Sequence, residues 1–204
     1  KEKFWQQLRH SSKSIINRGL KTYEFKVYDK ENFSKEIGNR HAELHHKTAG
    51  RITRPIATFD KMYSWVENDC GLMFEQLFNN QVVQMIFVAL GKGTAVGASA
   101  AEDPDIDVPV PLTHSMNYFI YQETKRRGVI YYDVGETAVR SNIHNIYSAK
   151  ELKINYFKKG FGNRSYPLKR WVWFSSQEEE IKYMKHQLTK YEQFIRNDVN
   201  KKDK

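Results

Sequence analysis

The feature of the sequence that most limits its fold is a change of hydrophobic period at residue 72. The side-chain pattern of residues 72–78 and 82–90 has a period of two, as in a β-strand. The Asn79-Asn80 pair between them suits a tight hairpin turn. A second turn, at residues 91–93, leads into residues 94–101. The segment therefore predicts three antiparallel strands in a meander.

Helical spacing dominates the chain before the meander. Residues 1–21 predict a basic amphipathic helix that ends at Gly19, and residues 25–28 predict a short strand. Apolar residues between 33 and 50 recur at helical spacing, and Thr58 is expected to cap a further helix.

The chain after the meander alternates between helix and strand. An acidic loop over residues 102–111 precedes a predicted helix at 112–127 and a β-prone run at 129–134. A helix between two strands indicates a crossover, which pairs the strands in parallel. A helix ending at Lys159, a strand at 170–174 and a C-terminal helix over 175–200 complete the prediction. The order predicts an α/β fold, a mixed sheet flanked by helices, in one domain over residues 1–204.

The formal charge of +9 is unevenly distributed. Residues 1–21 carry six Lys and Arg against one Glu, and residues 147–170 carry seven against one. An anionic partner and a simply solvated basic surface both fit this distribution.

Cellular location is predicted from what the sequence lacks. Its longest apolar stretch, residues 82–90, is far shorter than the roughly 20 residues of a membrane helix. The N-terminus has no apolar segment typical of a secretory signal, and the single cysteine, Cys70, suits a reducing compartment. We expect a soluble, cytoplasmic protein.

Several motifs resemble the Fem-type acyltransferases of the GNAT superfamily. They are a helix ending in Arg-Arg-Gly128, a Tyr-Tyr-Asp-Val-Gly135 strand and a Phe-Lys-Lys-Gly-Phe-Gly162 segment. The resemblance covers about the whole chain and implies a GNAT-like sheet, with the acyl donor in a cleft between two splayed central strands. Fem-type enzymes usually have two such halves. The resemblance therefore implies one domain, either a protein by itself or the second half of a longer protein.

The motifs depart from the family pattern at three positions. Val134 replaces an aromatic residue, Glu136 replaces a second glycine, and Thr58 replaces a Tyr in an Arg-x-x-x-Tyr stretch that would begin at Arg54. Recognition of a UDP-linked muropeptide is therefore less expected than acyl transfer.

The resemblance implies two catalytic residues. Acyl transfer to an amine needs a positioned donor carbonyl and stabilisation of the oxyanion. Lys158 matches a lysine that lies near the reactive ester in the family. Asp133 is expected to accept a proton or orient the acceptor amine, and its alternative role is to bind backbone N–H groups at the bend before Gly135.

Six further residues are expected to bind substrate. For His114 the alternative interpretation is simple exposure to water, and for Phe157 it is a place in the hydrophobic core. The six are Arg54, His114, Tyr132, Gly135, Phe157 and Arg164.

No metal and no tightly bound cofactor are predicted. His41 and His45 lie one helical turn apart beside His46, but no third ligand follows at the spacing of zinc proteases. The donor is expected to be an aminoacyl-tRNA or an acyl-CoA. Residues 100–107 hold four acids and no glycine, which disfavours the phosphate-binding loop of ordinary GNAT enzymes.

The leading interpretation is an N-acyltransferase that modifies an amine of a cell-envelope or polysaccharide precursor. Its alternatives are a non-catalytic GNAT-like half and an RNA-binding module. The RNA-binding module is suggested by Tyr and Phe interleaved with Lys and Arg over residues 153–166.

Overall fold

The computed structural model of the chain describes residues 3–135, 149–161 and 172–199. The chain divides into two compact units, Lys1–Gly135 and Glu136–Lys204, and each is described here by itself. The single domain predicted over residues 1–204 stays a prediction, as does a preceding half. Among the described residues, none of the helices combines the length and apolar character needed to cross a membrane.

The first unit contains all the described strands and five helices. Its helices are α1 (Lys3–Gln7), α2 (His10–Thr22), α3 (Lys35–Ala49), α4 (Ile56–Glu67) and α5 (Leu112–Arg126). Its strands are β1 (Glu24–Tyr28), β2 (Gly71–Phe78), β3 (Gln81–Gly91), β4 (Thr94–Glu102) and β5 (Tyr131–Asp133). The second unit contains α6 (Ala149–Lys159) and α7 (Gln177–Val199).

The five strands form one mixed sheet in the order β1-β2-β3-β4-β5. Strands β1 to β4 pair antiparallel, whereas β5, which follows α5, pairs parallel to β4. The predicted meander, the crossover helix and the mixed α/β fold are thereby confirmed. Asn79 and Asn80 both have positive φ, as a tight hairpin turn requires.

Helices cover both faces of the sheet, which explains why β2 is buried at every position but its last. On one face, α3 and α4 pack with alternate strand residues such as Met73, Met85 and Phe87. On the other face, α5 packs on residues of opposite parity, including Phe74 and Val88. Each large apolar side chain that is fully buried contributes about 1.5–3 kcal/mol to folding.

Two predicted helix boundaries are wrong. The N-terminal region forms two helices, and α2 continues through Gly19, where the glycine is buried against Ser115 of α5 instead of ending the helix. Helix α4 begins at Ile56 after Pro55, so Thr58 lies within its first turn. Proline suits the start of a helix because it has no N–H to leave unpaired.

Two predicted strands also differ from the structure. The parallel strand is limited to Tyr131–Asp133, because Val129 and Ile130 form the connection from α5 with hydrogen bonds to Thr124 and Gly93. Residues 172–174, the described part of the predicted strand at 170–174, are not in a strand. The predicted cap of the C-terminal helix is confirmed, since the Glu179 N–H donates to Ser176 Oγ over 3.3 Å.

Candidate active site

Strands β4 and β5 separate soon after they meet. Only three residues of each pair, Thr94–Val96 with Tyr131–Asp133. Strand β4 continues to Glu102 along β3, and within the described part of the chain no strand lies on its other side beyond Val96. We call this separation the strand split. Among the described residues β4 has no strand partner on this edge beyond Val96, and an unpaired strand edge is a common site for an extended ligand.

A β-bulge in β4 lies at the strand split. Phe87 of β3 pairs with Ser99 and the next residue, Val88, pairs with Gly97, which leaves Ala98 as the extra residue. A bulge bends its strand and turns backbone groups out of the regular ladder, and bulges are common beside active sites. The bulge thus coincides with the place where β4 loses its parallel neighbour.

Gly97 allows β5 to approach β4 closely. A Cβ atom on this residue would lie 3.2 Å from the Tyr132 hydroxyl and 3.8 Å from the Asp133 carbonyl oxygen. Any larger side chain at Gly97 would therefore press on both residues of β5.

The Tyr132 hydroxyl is held by α5. It donates a hydrogen bond of 2.8 Å to Asn117 Oδ1, and the Asn117 amide group donates to the Thr113 carbonyl over 2.8 Å. Burial, and to a smaller extent the Asp133 charge, raises the pKa of Tyr132. The hydroxyl therefore remains a neutral donor with a fixed direction.

The Asp133 carboxylate turns back onto the chain that follows it. Its Oδ1 accepts a hydrogen bond of 2.7 Å from the Gly135 N–H, and Gly135 has a positive φ of 89°. This is the geometry expected if Asp133 shapes the bend before Gly135. The proposed proton transfer to Asp133 stays a prediction.

His114 lies on the first turn of α5, one helical turn before Asn117. It is half-buried, so the alternative of a simply exposed histidine is not what the structure has. Burial, followed by the nearby Arg9 charge, lowers the pKa of His114. A neutral imidazole is therefore favoured at this position.

The sequence did not indicate a polar cluster behind the strand split. His41 of α3 is fully buried, and its Nε2 lies 3.3 Å from Ser99 Oγ, next to the bulge. Burial, and then the charges of His45 and Arg54, lower the pKa of His41 to about 3. Arg54, predicted to bind substrate, thus lies in the α3–α4 loop near this cluster.

No metal centre is visible in the described part of the chain. The rings of His41 and His45 have centroids 6.4 Å apart, but the described residues contain no group of three His, Cys, Asp or Glu that could bind a metal ion. Cys70 is exposed.

The remaining predicted residues belong to the second unit. Phe157 and Lys158 are half-buried on the last turn of α6, while neighbouring Lys159 is exposed. Their carbonyls accept hydrogen bonds from Gly160 and Phe161, respectively, which end the helix. Phe161 itself is buried and packs edge-on against Phe157. Arg164 lies outside the described residues.

Comparison with solved structures identifies the fold. FemX aligns with a TM-score of 0.62 at 14% identity, over 77% of this chain and 54% of FemX. L-PGS from Bacillus licheniformis aligns with a TM-score of 0.55 at 14% identity, over 79% of this chain and 52% of L-PGS. The chain therefore spans about half the length of these two proteins.

A shorter protein matches over almost its whole length. An aminoglycoside acetyltransferase from an uncultured soil metagenomic sample, in complex with sisomicin, aligns with a TM-score of 0.54 at 10% identity. The alignment covers 77% of this chain and 98% of that enzyme. No family model and no curated protein matches the sequence. The chain therefore has the fold of these three proteins, the GNAT-like mixed α/β fold that the sequence predicted.

Proposed function

We propose that the chain is an N-acyltransferase whose reaction takes place at the strand split. The observation that carries the proposal is the coincidence of three features at one point: the end of the β4–β5 pairing, the bulge at Ala98, and the Tyr132 hydroxyl oriented by Asn117. Together they leave an exposed strand edge beside an oriented polar group. The fold, shared with acyltransferases, supports the same reaction class.

In the proposed reaction, the lone pair of an acceptor amine attacks the acyl carbonyl carbon of the donor. A C–N bond forms, the donor's C–O or C–S bond breaks, and the amine proton passes to the leaving group or to a nearby base such as Asp133. Backbone N–H groups at the β4 edge would stabilise the oxyanion. A catalytic role for the Lys158 ammonium is proposed from the motif resemblance alone. The substrate is held in place, and no covalent enzyme intermediate is required.

We further propose aminoacyl-tRNA as the donor, with acyl-CoA as the alternative. The loop before α5 is acidic, and its Asp103 is bound by Lys47 of α3 at 2.6 and 2.8 Å. Burial opposes the ionisation of Asp103, but hydrogen bonds from Lys47 and the Asp105 N–H more than offset it and lower the pKa. Asp103 and Asp105 thus form ion pairs with Lys47, and residues 100–107 contain no glycine. The loop therefore lacks the glycine-rich backbone that binds a pyrophosphate in ordinary GNAT enzymes.

The acceptor we propose is an amine on a cell-envelope or polysaccharide precursor. FemX and L-PGS among the structural matches favour this class over others, and the enzyme crystallised with sisomicin leaves an aminoglycoside-like amino sugar as a competing acceptor. Arg54, His114 and Phe157 remain our candidates for substrate contacts. Arg164 is a candidate from the sequence alone.

A transfer assay with a donor panel tests the proposal. The chain is incubated with radiolabelled aminoacyl-tRNA or acetyl-CoA and with amino-sugar or peptidyl amine acceptors, and amide products are detected by mass. We expect amide formation with aminoacyl-tRNA and a rise in melting temperature with the bound donor. Product with acetyl-CoA alone would refute the donor assignment. Absence of product with every donor and acceptor would refute the proposed acyltransferase function.

A second candidate function is a non-catalytic GNAT-like half. It is favoured by the departures from the family pattern at Val134 and Glu136. A protein of this kind would bind to a catalytic partner and leave every donor unchanged. The two candidates differ in whether the chain forms any amide product.

A further inference from the structure

A basic groove lies on the N-terminal helices of the first unit. Its walls include Trp5 of α1 and five polar or basic residues of α2, namely His10, Lys13, Asn17, Arg18 and Lys21. We call it the α2 groove. Its residues lie outside the strand split.

The charge of the α2 groove has one sign. The sequence contains no Asp or Glu between Glu2 and Glu24, so no carboxylate of this segment offsets its basic residues. Arg18 and Lys21 are exposed, and Lys13 is half-buried. A concave surface with basic side chains on its walls concentrates a positive potential and attracts anions.

The groove is built on a rigid support. The opposite side of α2 is buried through Ile16 and Gly19, and Gly19 packs directly against Ser115 of α5. Because α2 is held against α5, the spacing of its basic residues is fixed before a ligand binds. Such preorganisation lowers the entropy cost of binding.

Aromatic rings hold the other wall of the groove. Phe4 stacks on Tyr121 with ring centroids 3.9 Å apart, and the Trp5 ring packs edge-on against Tyr118 at 5.2 Å. Trp5 is thereby fixed, half-buried, beside the basic residues. An oriented indole next to Lys and Arg is a common surface for single-stranded nucleic acid, because the bases stack on the ring while the phosphates pair with the cations.

A membrane surface fits the groove less well than RNA. Helices that bind a bilayer insert large apolar side chains. Between Phe4 and Tyr23 the one large hydrophobic residue that is exposed is Leu20, at 36%. The accessible face of α2 instead presents Asn17, Arg18 and Lys21, which can donate hydrogen bonds to phosphate and ribose oxygens.

We propose that the α2 groove binds the phosphate backbone of an RNA strand, with one unpaired base stacked on Trp5. The proposal rests on the proposed function only where it identifies this RNA with the aminoacyl-tRNA donor. The groove would then bind a part of the donor other than its acyl group.

Binding of a fluorescein-labelled, uncharged tRNA transcript tests the groove by anisotropy at several salt concentrations. The groove variant is Lys13→Gln/Arg18→Gln/Lys21→Gln. The control variant, Lys35→Gln/Lys61→Gln/Lys92→Gln, removes the same charge from exposed sites on α3, α4 and the β3–β4 turn. Circular dichroism verifies that both variants fold.

The groove variant is expected to bind tRNA at least ~10-fold more weakly and to reduce the slope of log K against log salt by about 2–3. The control variant should change both quantities much less. Equal losses in the two variants, or no loss in either, would overturn the proposal. So would groove-dependent binding to phosphatidylglycerol vesicles without binding to tRNA.

This assay distinguishes failure of the groove proposal from failure of the proposed enzymatic function. It uses no acyl group, so tRNA binding without any amide product would refute the proposed function and leave the groove intact. If a groove variant forms amide from aminoacyl-tRNA with the wild-type KM, RNA binding by the groove is refuted and the proposed acyltransferase function is retained.

Discussion

Single residues carry the clearest chemical predictions, beginning with Lys158. It is half-buried at the end of α6, whereas Lys159 is exposed. If the Lys158 ammonium stabilises charge that grows in the transition state, Lys158→Ala should lower turnover by ~10²-fold or more. Lys159→Ala, the matched control, should retain nearly full turnover. Equal rates for wild type and a folded Lys158→Ala variant would contradict this role of Lys158.

Glu75 is a fully buried carboxylate whose partners stabilise it. Arg40 Nη1 lies 2.6 Å from one oxygen, and the Tyr28 hydroxyl donates to the other over 2.6 Å. Because Arg40 is itself 41% exposed, Arg40→Met should cost about 2 kcal/mol of unfolding free energy, less than for a fully buried pair.

Urea denaturation of wild type and three variants measures this effect. The double variant Arg40→Met/Glu75→Met should recover much of the loss, because it removes the buried charge that Arg40→Met leaves with only the Tyr28 hydroxyl and Lys26, whose Nζ lies 3.9 Å away. Lys30→Met, at the exposed ion pair with Asp69, should change stability by no more than about 0.5 kcal/mol. A loss in Lys30→Met as large as in Arg40→Met would contradict the role of burial.

His41 should make stability depend on pH. Its pKa in the folded protein, about 3, lies below the ordinary value of 6.5. As pH falls below 6.5, the unfolded chain binds a proton that the folded chain does not. The stability present above pH 6.5 should therefore decrease by up to about 1.4 kcal/mol per pH unit toward pH 3.

Comparison of wild type with His41→Asn isolates this contribution. Urea unfolding between pH 6.5 and 5 precedes most carboxylate titration, and His45 and His114, whose pKa values are also lowered, remain in both proteins. The slope of unfolding free energy against pH should be smaller by nearly one proton in the variant. Identical slopes would contradict the buried, neutral His41.

At the scale of elements, the contact of α2 with α5 depends on Gly19. A Cβ atom there would lie 2.4 Å from Ser115 Oγ and 2.6 Å from its Cβ. Gly19→Ala should therefore destabilise the protein by about 2 kcal/mol, although alanine is the better helix former. Thermal unfolding of Gly19→Ala/Ser115→Gly should show partial recovery. A stabilising Gly19→Ala would disprove this close contact.

Gly19 also illustrates why sequence patterns predict some elements better than others. The meander follows from alternation and turn residues that are local in the sequence, and β2 to β4 lie where these predict. Gly19 resembles a helix stop locally, but its role comes from Ser115, nearly a hundred residues later. Strand β5 is shorter than its β-prone run because Val129 and Ile130 bind to Thr124 and Gly93.

The candidate site, like the fold, was predicted from the sequence only in part. Motif resemblance indicated Tyr132, Asp133 and Gly135, and all three are in or directly after β5 at the strand split. Ser99, Asn117 and the buried state of His41 were not indicated, because each depends on a partner from another element. A polar residue within an apolar strand or on the core face of a helix is the signal that could have suggested them.

At the scale of the whole molecule, the central claim is that the chain catalyses acyl transfer at the strand split. Gly97 offers a test within the first unit, since a Cβ there already lies 3.2 Å from the Tyr132 hydroxyl. Gly97→Val would fill the space in which β4 and β5 part. Gly97→Ala is the graded comparison, because it adds only the atom whose contacts are known.

The most direct measurement is the rate of amide formation from aminoacyl-tRNA by wild type, Gly97→Ala and Gly97→Val, each verified as folded by near-UV circular dichroism. The account predicts product with wild type, a smaller rate with Gly97→Ala, and a loss of ~10²-fold or more with Gly97→Val. Product formed by Gly97→Val at the wild-type rate, or no product from wild type with any donor, would contradict it.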